Sequence, residues 1–187
     1  MKYQLDKDYN SLDRIGEWDP KTQAVIKKRI ADEVGKEMSF SFLTEKQGRL
    51  LAKITDILIP QSDNSQYVKI AEAIDKNLLK APRGVRYGDN LWKAEIYQKG
   101  LTEFEKQLDK KFTPENIEKI IKQSFEPNQK NLITEFLSQA LVDSIEIYYS
   151  HPVSWNQIGF PGPAYPEGYA YLACNEADSW EPKFLKD

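Results

Sequence analysis

Apolar residues recur three and four positions apart along most of this chain, a spacing that places side chains on one face of an α-helix. The clearest example is a seam formed by Ala94, Tyr97, Leu101, Phe104 and Leu108. Such a seam is typical of a helix that packs on other helices. No segment of five or more residues alternates cleanly between apolar and polar side chains, so no strand is predicted. The pattern predicts an all-α fold of about six helices.

The first predicted helix has a start signal with a physical cause. The Asp19 carboxylate can accept hydrogen bonds from the free N–H groups of the first turn, and Pro20 suits the first helical position. The helix should run to about Val34, before Gly35. Its predicted buried stripe consists of Val25, Ile26, Ile30 and Val34.

Similar signals bound the later helices. Thr44 and Gln47 form a capping box at the start of the second helix, which Pro60 should stop. Thr113-Pro114 predicts the start of a short helix, and Pro127-Asn128 predicts the start of the last one. The third helix carries a stripe of Ile70, Ala71, Ile74 and Leu78. The last helix carries an apolar face of Ile133, Phe136, Leu137, Ala140, Leu141, Ile145 and Tyr148.

From Ser150 onward the helical period stops, and proline, glycine and aromatic residues dominate the stretch "YYSHPVSWNQIGFPGPAYPEGY". We therefore predict one domain over residues 1–187, with a helical body at about 19–149 and an irregular tail at 150–187 packed on it. Two roles for the tail remain open. It can cover the protein's own core, or it can present rigid aromatic side chains to a partner, and both can hold at once.

Composition excludes several classes of function. The net charge of −3 provides no positive field for nucleic acid. Cys174 is the only cysteine and can form no internal disulfide, although it could pair with another protein. No apolar run approaches the ~20 residues that cross a bilayer, so no membrane insertion is expected. The N-terminus shows no export signal, which predicts a cytoplasmic chain as written.

Candidate chemistry within the chain is sparse. His151 is the only side chain with an ordinary pKa near neutrality, but no nucleophile or orienting group can be matched to it by spacing. We expect its ring to make a local hydrogen bond beside Pro152. Glu135, Asp143 and Glu146 are expected on a solvated helix face rather than at a metal. No dinucleotide-binding motif is present, so no catalytic, metal or cofactor-binding residue is predicted.

The tail closely resembles the C-terminal signature of the gluconate 2-dehydrogenase subunit 3 family. The segments "WDPKTQAVIKKRI", "FLTEKQGRLLAKITDILIPQSD", "YQKGLTEFEKQL" and "EADSWEP" extend the resemblance over most of the chain. The resemblance implies a small helical accessory subunit of a large flavin-dependent sugar or polyol dehydrogenase, often accompanied by a cytochrome c subunit. FAD is then expected in the large partner, which the small subunit binds and stabilises or helps to mature.

No catalytic residue is carried over by the resemblance, which instead implies a structural or partner-binding role for matching tail positions. These positions are Tyr149, His151, Pro152, Trp155, Gly159, Phe160, Gly162, Pro163 and Gly168. The chain departs from the family in two places. It lacks the twin-arginine signal of exported members, which reach a periplasmic or membrane-associated complex, and it has "QSDNSQ" where many relatives resemble Thr-Asp-Thr-Pro-Gly.

Two other functions are kept as alternatives. The first is a free-standing module that binds a small sugar or aromatic ligand in a cleft beneath the tail, where tyrosine rings could stack on it. The second is an enzyme that uses His151.

Overall fold

The computed structural model describes residues 3–5, 10–61, 66–84, 91–108, 112–163 and 184–186. Its α-helices are α1 (Pro20–Glu33), α2 (Glu45–Leu58), α3 (Ile70–Lys80), α4 (Lys93–Gln107), α5 (Pro114–Ser124), α6 (Leu132–Ser150) and α7 (Trp155–Ile158). One 3₁₀ helix (Ser11–Glu17) precedes α1, and another (Pro152–Ser154) precedes α7. The predicted all-α class is confirmed.

Two short strands depart from the prediction that no strand is present. Strand β1 (Tyr3–Leu5) pairs antiparallel with β2 (Phe184–Lys186), with Tyr3 opposite Lys186. Each strand has only three residues, which is too short for alternation of apolar and polar side chains to reveal it.

The chain forms two compact units. The first contains its described residues up to Val34 and from Tyr149 onward, and the second spans Gly35–Tyr148. The boundary falls inside α6, whose last two residues belong to the first unit. A single domain over the whole chain stays a prediction.

The second unit is a helical body in which α2 contacts α3, α4 and α5. The predicted seam of α4 is confirmed, because Tyr97, Leu101 and Phe104 are fully buried. The ring of Phe136 from α6 lies edge-on to Tyr97 at 5.5 Å and to Phe104 at 6.4 Å between ring centroids. Burial of each such side chain stabilises the fold by about 1.5–3 kcal/mol.

The start of α2 follows its predicted capping box. The Thr44 side chain accepts from the Gln47 N–H at 3.3 Å, and the Gln47 side chain accepts from the Thr44 N–H at 3.2 Å. The helix ends at Leu58, two residues before Pro60. Both ends were thus predicted by local chemistry.

The segment before α2 is held by two carboxylates of α3 that the sequence did not single out. Asp75 is fully buried and accepts from the backbone N–H groups of Ser41 at 2.7 Å, Phe42 at 3.1 Å and Leu43 at 2.7 Å. Glu72 accepts from the Ser39 N–H at 3.2 Å. Four of the five backbone N–H groups in residues 39–43 thus donate to side chains rather than within a helix or strand.

The start of α6 was predicted wrongly at Pro127-Asn128. Asn128 has a φ of 71°, in the left-handed region, so the chain turns there instead of starting a helix. The helix begins at Leu132, where the Asn131 side chain accepts from the Thr134 N–H at 2.9 Å. The apolar face was wrong at one position, because Ile145 is 42% exposed.

Asp143 on α6 was also predicted wrongly as a solvated residue. It is buried, and its carboxylate accepts from Lys93 Nζ at 2.6 Å, the Tyr97 hydroxyl at 2.6 Å and Gln139 Nε2 at 3.1 Å. Glu146 is exposed, as predicted. Buried carboxylates persist where several donors satisfy them, and here two of the donors come from α4.

Candidate functional site at the C-terminal turn segment

The tail residues that carry the family resemblance begin with two short helical turns, here called the C-terminal turn segment (residues 151–163). His151 Nδ1 accepts from the Val153 N–H at 3.2 Å, and the His151 carbonyl accepts from the Ser154 N–H at 3.0 Å. Pro152 occupies the first position of the 3₁₀ helix, which suits its fixed φ. The segment is therefore partly helical, a correction to the irregular tail that was predicted.

Glycine is required at two positions that close this segment. Gly159 has a φ of 66° and ends α7 in the left-handed conformation. Gly162 has a φ of 103°, and a Cβ there would lie 2.4 Å from Cζ2 of Trp18. The chain can make this turn against an indole ring only without a side chain.

Three aromatic rings form the core of the first unit and are here called the aromatic cluster (Trp18, Trp155 and Phe160). Trp155 lies edge-on to Trp18 at 6.1 Å and to Phe160 at 5.2 Å between ring centroids. Ile26 of α1 packs with them. Edge-to-face pairs contribute about 0.5–1.5 kcal/mol beyond their buried area. Because Trp155 is only 6% exposed, its side chain packs within this protein.

Asn156 fastens the segment to the first 3₁₀ helix. Its Oδ1 accepts from the Ser11 N–H at 2.8 Å and from the Ser11 hydroxyl at 2.9 Å, and its Nδ2 donates to Asn10 Oδ1 at 2.9 Å. Sequence reasoning missed this residue, because its partners lie about 145 positions away and no local motif marks them.

α1 also packs against the aromatic cluster, and its N-terminal cap was predicted correctly. Asp19 Oδ1 accepts from the Lys21 N–H at 2.9 Å and the Thr22 N–H at 3.2 Å. The buried stripe predicted for this helix was wrong at Val25, which is 58% exposed, whereas Ile26 is buried as predicted.

His151 is fully buried and faces two charged residues of α1. Its Nε2 lies 3.7 Å from Glu33 Oε2, and Arg29 Nε donates to the same oxygen at 3.2 Å. Arg29 Nη1 also donates to the Ser150 carbonyl at 3.0 Å. Burial lowers the pKa of His151, as does the Arg29 charge, while Glu33 acts in the opposite direction.

The Nδ1 atom of the ring makes the local hydrogen bond that was predicted beside Pro152. The second ring nitrogen, Nε2, takes no part in it. Within the described part of the chain, Nε2 has no hydrogen-bond partner. The ring has no exposed surface, and its Nδ1 is occupied by the Val153 N–H. The ring therefore has a structural role in this turn, and an enzyme that uses His151 stays an alternative.

Eight of the nine predicted site residues lie in the described part of the chain, and they fall into three groups by exposure. His151, Pro152, Trp155 and Gly162 are buried; Gly159, Phe160 and Pro163 are half-buried; and Tyr149 is 38% exposed. Gly168 lies outside the described residues, as does Cys174. The contacts assign the buried members to internal packing, while partner binding stays a prediction. Ile158, which the sequence did not single out, is 48% exposed on α7.

The second unit contains a separate cavity of about 430 Å³. Its walls are formed by Lys36, Met38, Asp56, Pro60, Gln61 and Tyr67. The Tyr67 hydroxyl donates to Asp56, and burial raises the pKa of both groups. The cavity is large enough for a small molecule, but it is not the cleft predicted beneath the tail. The ligand-binding alternative therefore stays a prediction.

None of the helices in the described residues has the length and apolar character that a membrane span requires. In the same residues, no group of three His, Cys, Asp or Glu side chains is placed to hold a metal ion.

Comparison with known proteins assigns this small helical protein to a family. The sequence profile of gluconate 2-dehydrogenase subunit 3 matches residues 45–162, which is more than half of the chain. The chain belongs to the gluconate 2-dehydrogenase subunit 3 family. No match is found among curated proteins or among solved structures. The matched range includes α2 to α7 and most of the C-terminal turn segment.

Proposed function

We propose that this protein is a non-catalytic accessory subunit that binds and stabilises, or helps to mature, the large subunit of a flavin-dependent sugar or polyol dehydrogenase. The family match over residues 45–162 carries this proposal. In this arrangement FAD is bound by the large subunit, and the complex can include a cytochrome c subunit. The present chain contributes a folded surface and no reacting group.

The environment of His151 supports a non-catalytic role. A general acid or base must reach its substrate within hydrogen-bonding distance. His151 is instead fully buried, and its Nδ1 is occupied by the backbone N–H of Val153. The residue with the most suitable ordinary pKa for catalysis is thus used to fix a turn.

In this proposal the C-terminal turn segment supplies the contact surface. Ile158 and Tyr149 expose apolar area, while Trp155, the first residue of α7, is packed inside. Packing of Trp155 against Trp18 and Phe160 holds α7 in place, and a rigid surface loses little entropy on association. In the proposed complex Ile158 contacts the large subunit.

Affinity purification from the native host tests the proposal. The tagged full-length chain should recover a larger protein that carries the visible absorption spectrum of flavin and oxidises a sugar or polyol. The isolated small chain should show no such turnover. Recovery of the chain without any flavoprotein, or turnover by the chain alone, would contradict the proposal.

A matched pair of variants tests the contact surface. Ile158→Asp places a charge in the proposed interface and should weaken recovery of the flavoprotein about tenfold or more, equivalent to ~1.4 kcal/mol. Val25→Asp is the control, because Val25 is equally an exposed aliphatic residue but lies outside the family match. Equal recovery with both variants would remove Ile158 from the interface, provided that both melt at the wild-type temperature.

A further inference from the structure

His151 lies at the start of the C-terminal turn segment in the first unit. It follows the last residue of α6, it caps the 3₁₀ helix Pro152–Ser154, and its ring lies against α1. It is also the only histidine in the chain. A change in this one ring therefore acts directly on the attachment of the C-terminal turn segment to α1.

The hydrogen bond at Nδ1 fixes where the ring can carry protons. Nδ1 accepts from the Val153 N–H at 3.2 Å, so the neutral ring carries its proton on Nε2. A second proton has to bind Nδ1, where it would point at the Val153 N–H. Two donors then oppose each other, and the capping hydrogen bond cannot persist in the charged state.

The charges around the ring do not remove this conflict. From α1, the Glu33 carboxylate at 3.7 Å and the Arg29 backbone favour the charged ring, but that carboxylate is already paired with the Arg29 side chain, whose own charge opposes protonation. The 3₁₀ helix Pro152–Ser154 and α7 carry no ionisable side chain, and the last turn of α6 carries only tyrosines. The ring is also fully buried, which disfavours its charged form.

We propose that His151 is an acid-sensitive latch: uptake of one proton from solvent at Nδ1 breaks the bond to the Val153 N–H and releases the C-terminal turn segment from α1. The latched state is the neutral one, with the aromatic cluster packed. The released state exposes the 3₁₀ turn and gives the charged ring access to water. No other group gains or loses a proton in this step.

The sign of the pH dependence follows from linkage. Burial and Arg29 lower the pKa of the latched ring, whereas a released ring has an ordinary pKa of about 6.5. The released state therefore binds the proton more tightly. The latch holds fully above about pH 6.5 and weakens progressively as the pH falls below that value.

A single-histidine chain allows a direct test on the full-length protein. The ring C–H resonance of His151 should titrate with a midpoint below about 6.5. Hydrogen-exchange protection of the Val153 and Ser154 amides, corrected for the intrinsic pH dependence of exchange, should fall over the same range. Protection should begin to fall near pH 6.5, above the midpoint of the ring titration, because the latch weakens progressively below the ordinary pKa of the released ring, about 6.5.

Two variants separate the latch from general acid sensitivity. His151→Asn keeps an oxygen acceptor at a cap position but cannot titrate, so its amide protection should not change between about pH 7.5 and 5. Glu33→Gln removes the carboxylate that favours the charged ring, so the wild-type midpoint should move to lower pH.

The latch is overturned if the ring titrates at or above about 6.5, or if it titrates while the Val153 amide keeps its protection. It is equally overturned if His151→Asn loses protection with the wild-type pH dependence. Should His151→Asn fail to fold, the paired titration curves of the wild-type chain decide the matter alone.

Discussion

At the scale of single residues, Asp143 offers the sharpest test of the packing in the second unit. Its carboxylate joins Lys93 and Tyr97 of α4 to α6, and the Lys93 side chain is 21% exposed. Burial raises the pKa of Tyr97 well above its ordinary value, as does the charge of Asp143. The phenol is thus neutral at all ordinary pH values and serves as a hydrogen-bond donor.

Asp143→Ala should lower the free energy of unfolding by about 3–5 kcal/mol, because it leaves an ammonium and a hydroxyl without their acceptor. Tyr97→Phe should cost about 1–2 kcal/mol in the wild type and much less once Asp143 is absent. Urea unfolding measures both, with Glu146→Ala on the exposed face of the same helix as the control. Full additivity of the two substitutions would contradict the described network.

Residues such as Asp143 and His151 show which site features escape sequence reasoning. The local bond of His151 was predicted, because Pro152 beside it marks a turn. The burial of Asp143 was not, because its partner Lys93 lies 50 positions earlier. Helical spacing predicts which residues of one helix share a face. It does not predict that a lysine side chain of another helix contacts one of them.

At the scale of elements, the contact between α3 and residues 39–43 rests on side-chain acceptors. The carboxylate of Asp75 satisfies three successive backbone N–H groups, those of Ser41, Phe42 and Leu43. Both carboxylate oxygens of Asp75 take part, because the Ser41 N–H donates to Oδ2 and the Leu43 N–H donates to Oδ1. An amide side chain of the same shape offers only one acceptor.

Asp75→Asn should therefore destabilise the chain by about 2–3 kcal/mol, because one N–H group then faces an amide NH₂ group. Hydrogen exchange at the Ser41 and Leu43 amides should accelerate more than exchange in α5. Glu126→Gln makes the same chemical change at an exposed position of the second unit and should be close to neutral. Unchanged exchange at residues 41–43 would show that the segment is held by other contacts.

Helix ends were predictable where a cap lies within a few residues of its acceptor. Asp19, Thr44 and Thr113 each lie at a predicted helix start, and each side chain accepts from an N–H group of the first turn. The start of α6 failed for an instructive reason. Pro127 is a start signal that Asn128 overrides by turning into the left-handed region, and the actual cap is Asn131.

At the scale of the whole molecule, the helical class was predictable and the division into units was not. Every long helix carries its own period, which is a local property. The first unit instead joins residues before Val34 to residues after Tyr149, so its core combines Trp18 with Trp155. Periodicity does not report contacts over such a separation. The aromatic tail marked the site, but its composition alone did not distinguish a packed ring from an exposed one.

Replacement of Trp155 decides how much of the tail serves the fold of this chain. Trp155→Ala removes a ring that contacts Trp18 and Phe160 and should lower the free energy of unfolding by about 3–5 kcal/mol. Trp92→Ala is the matched control, because Trp92 is 50% exposed and its loss should cost far less. Urea unfolding of the isolated chain measures the first effect, and recovery of the flavoprotein measures any effect on association. If Trp155→Ala abolished recovery at wild-type stability, the indole would act as an interface anchor rather than as a packing residue of this chain.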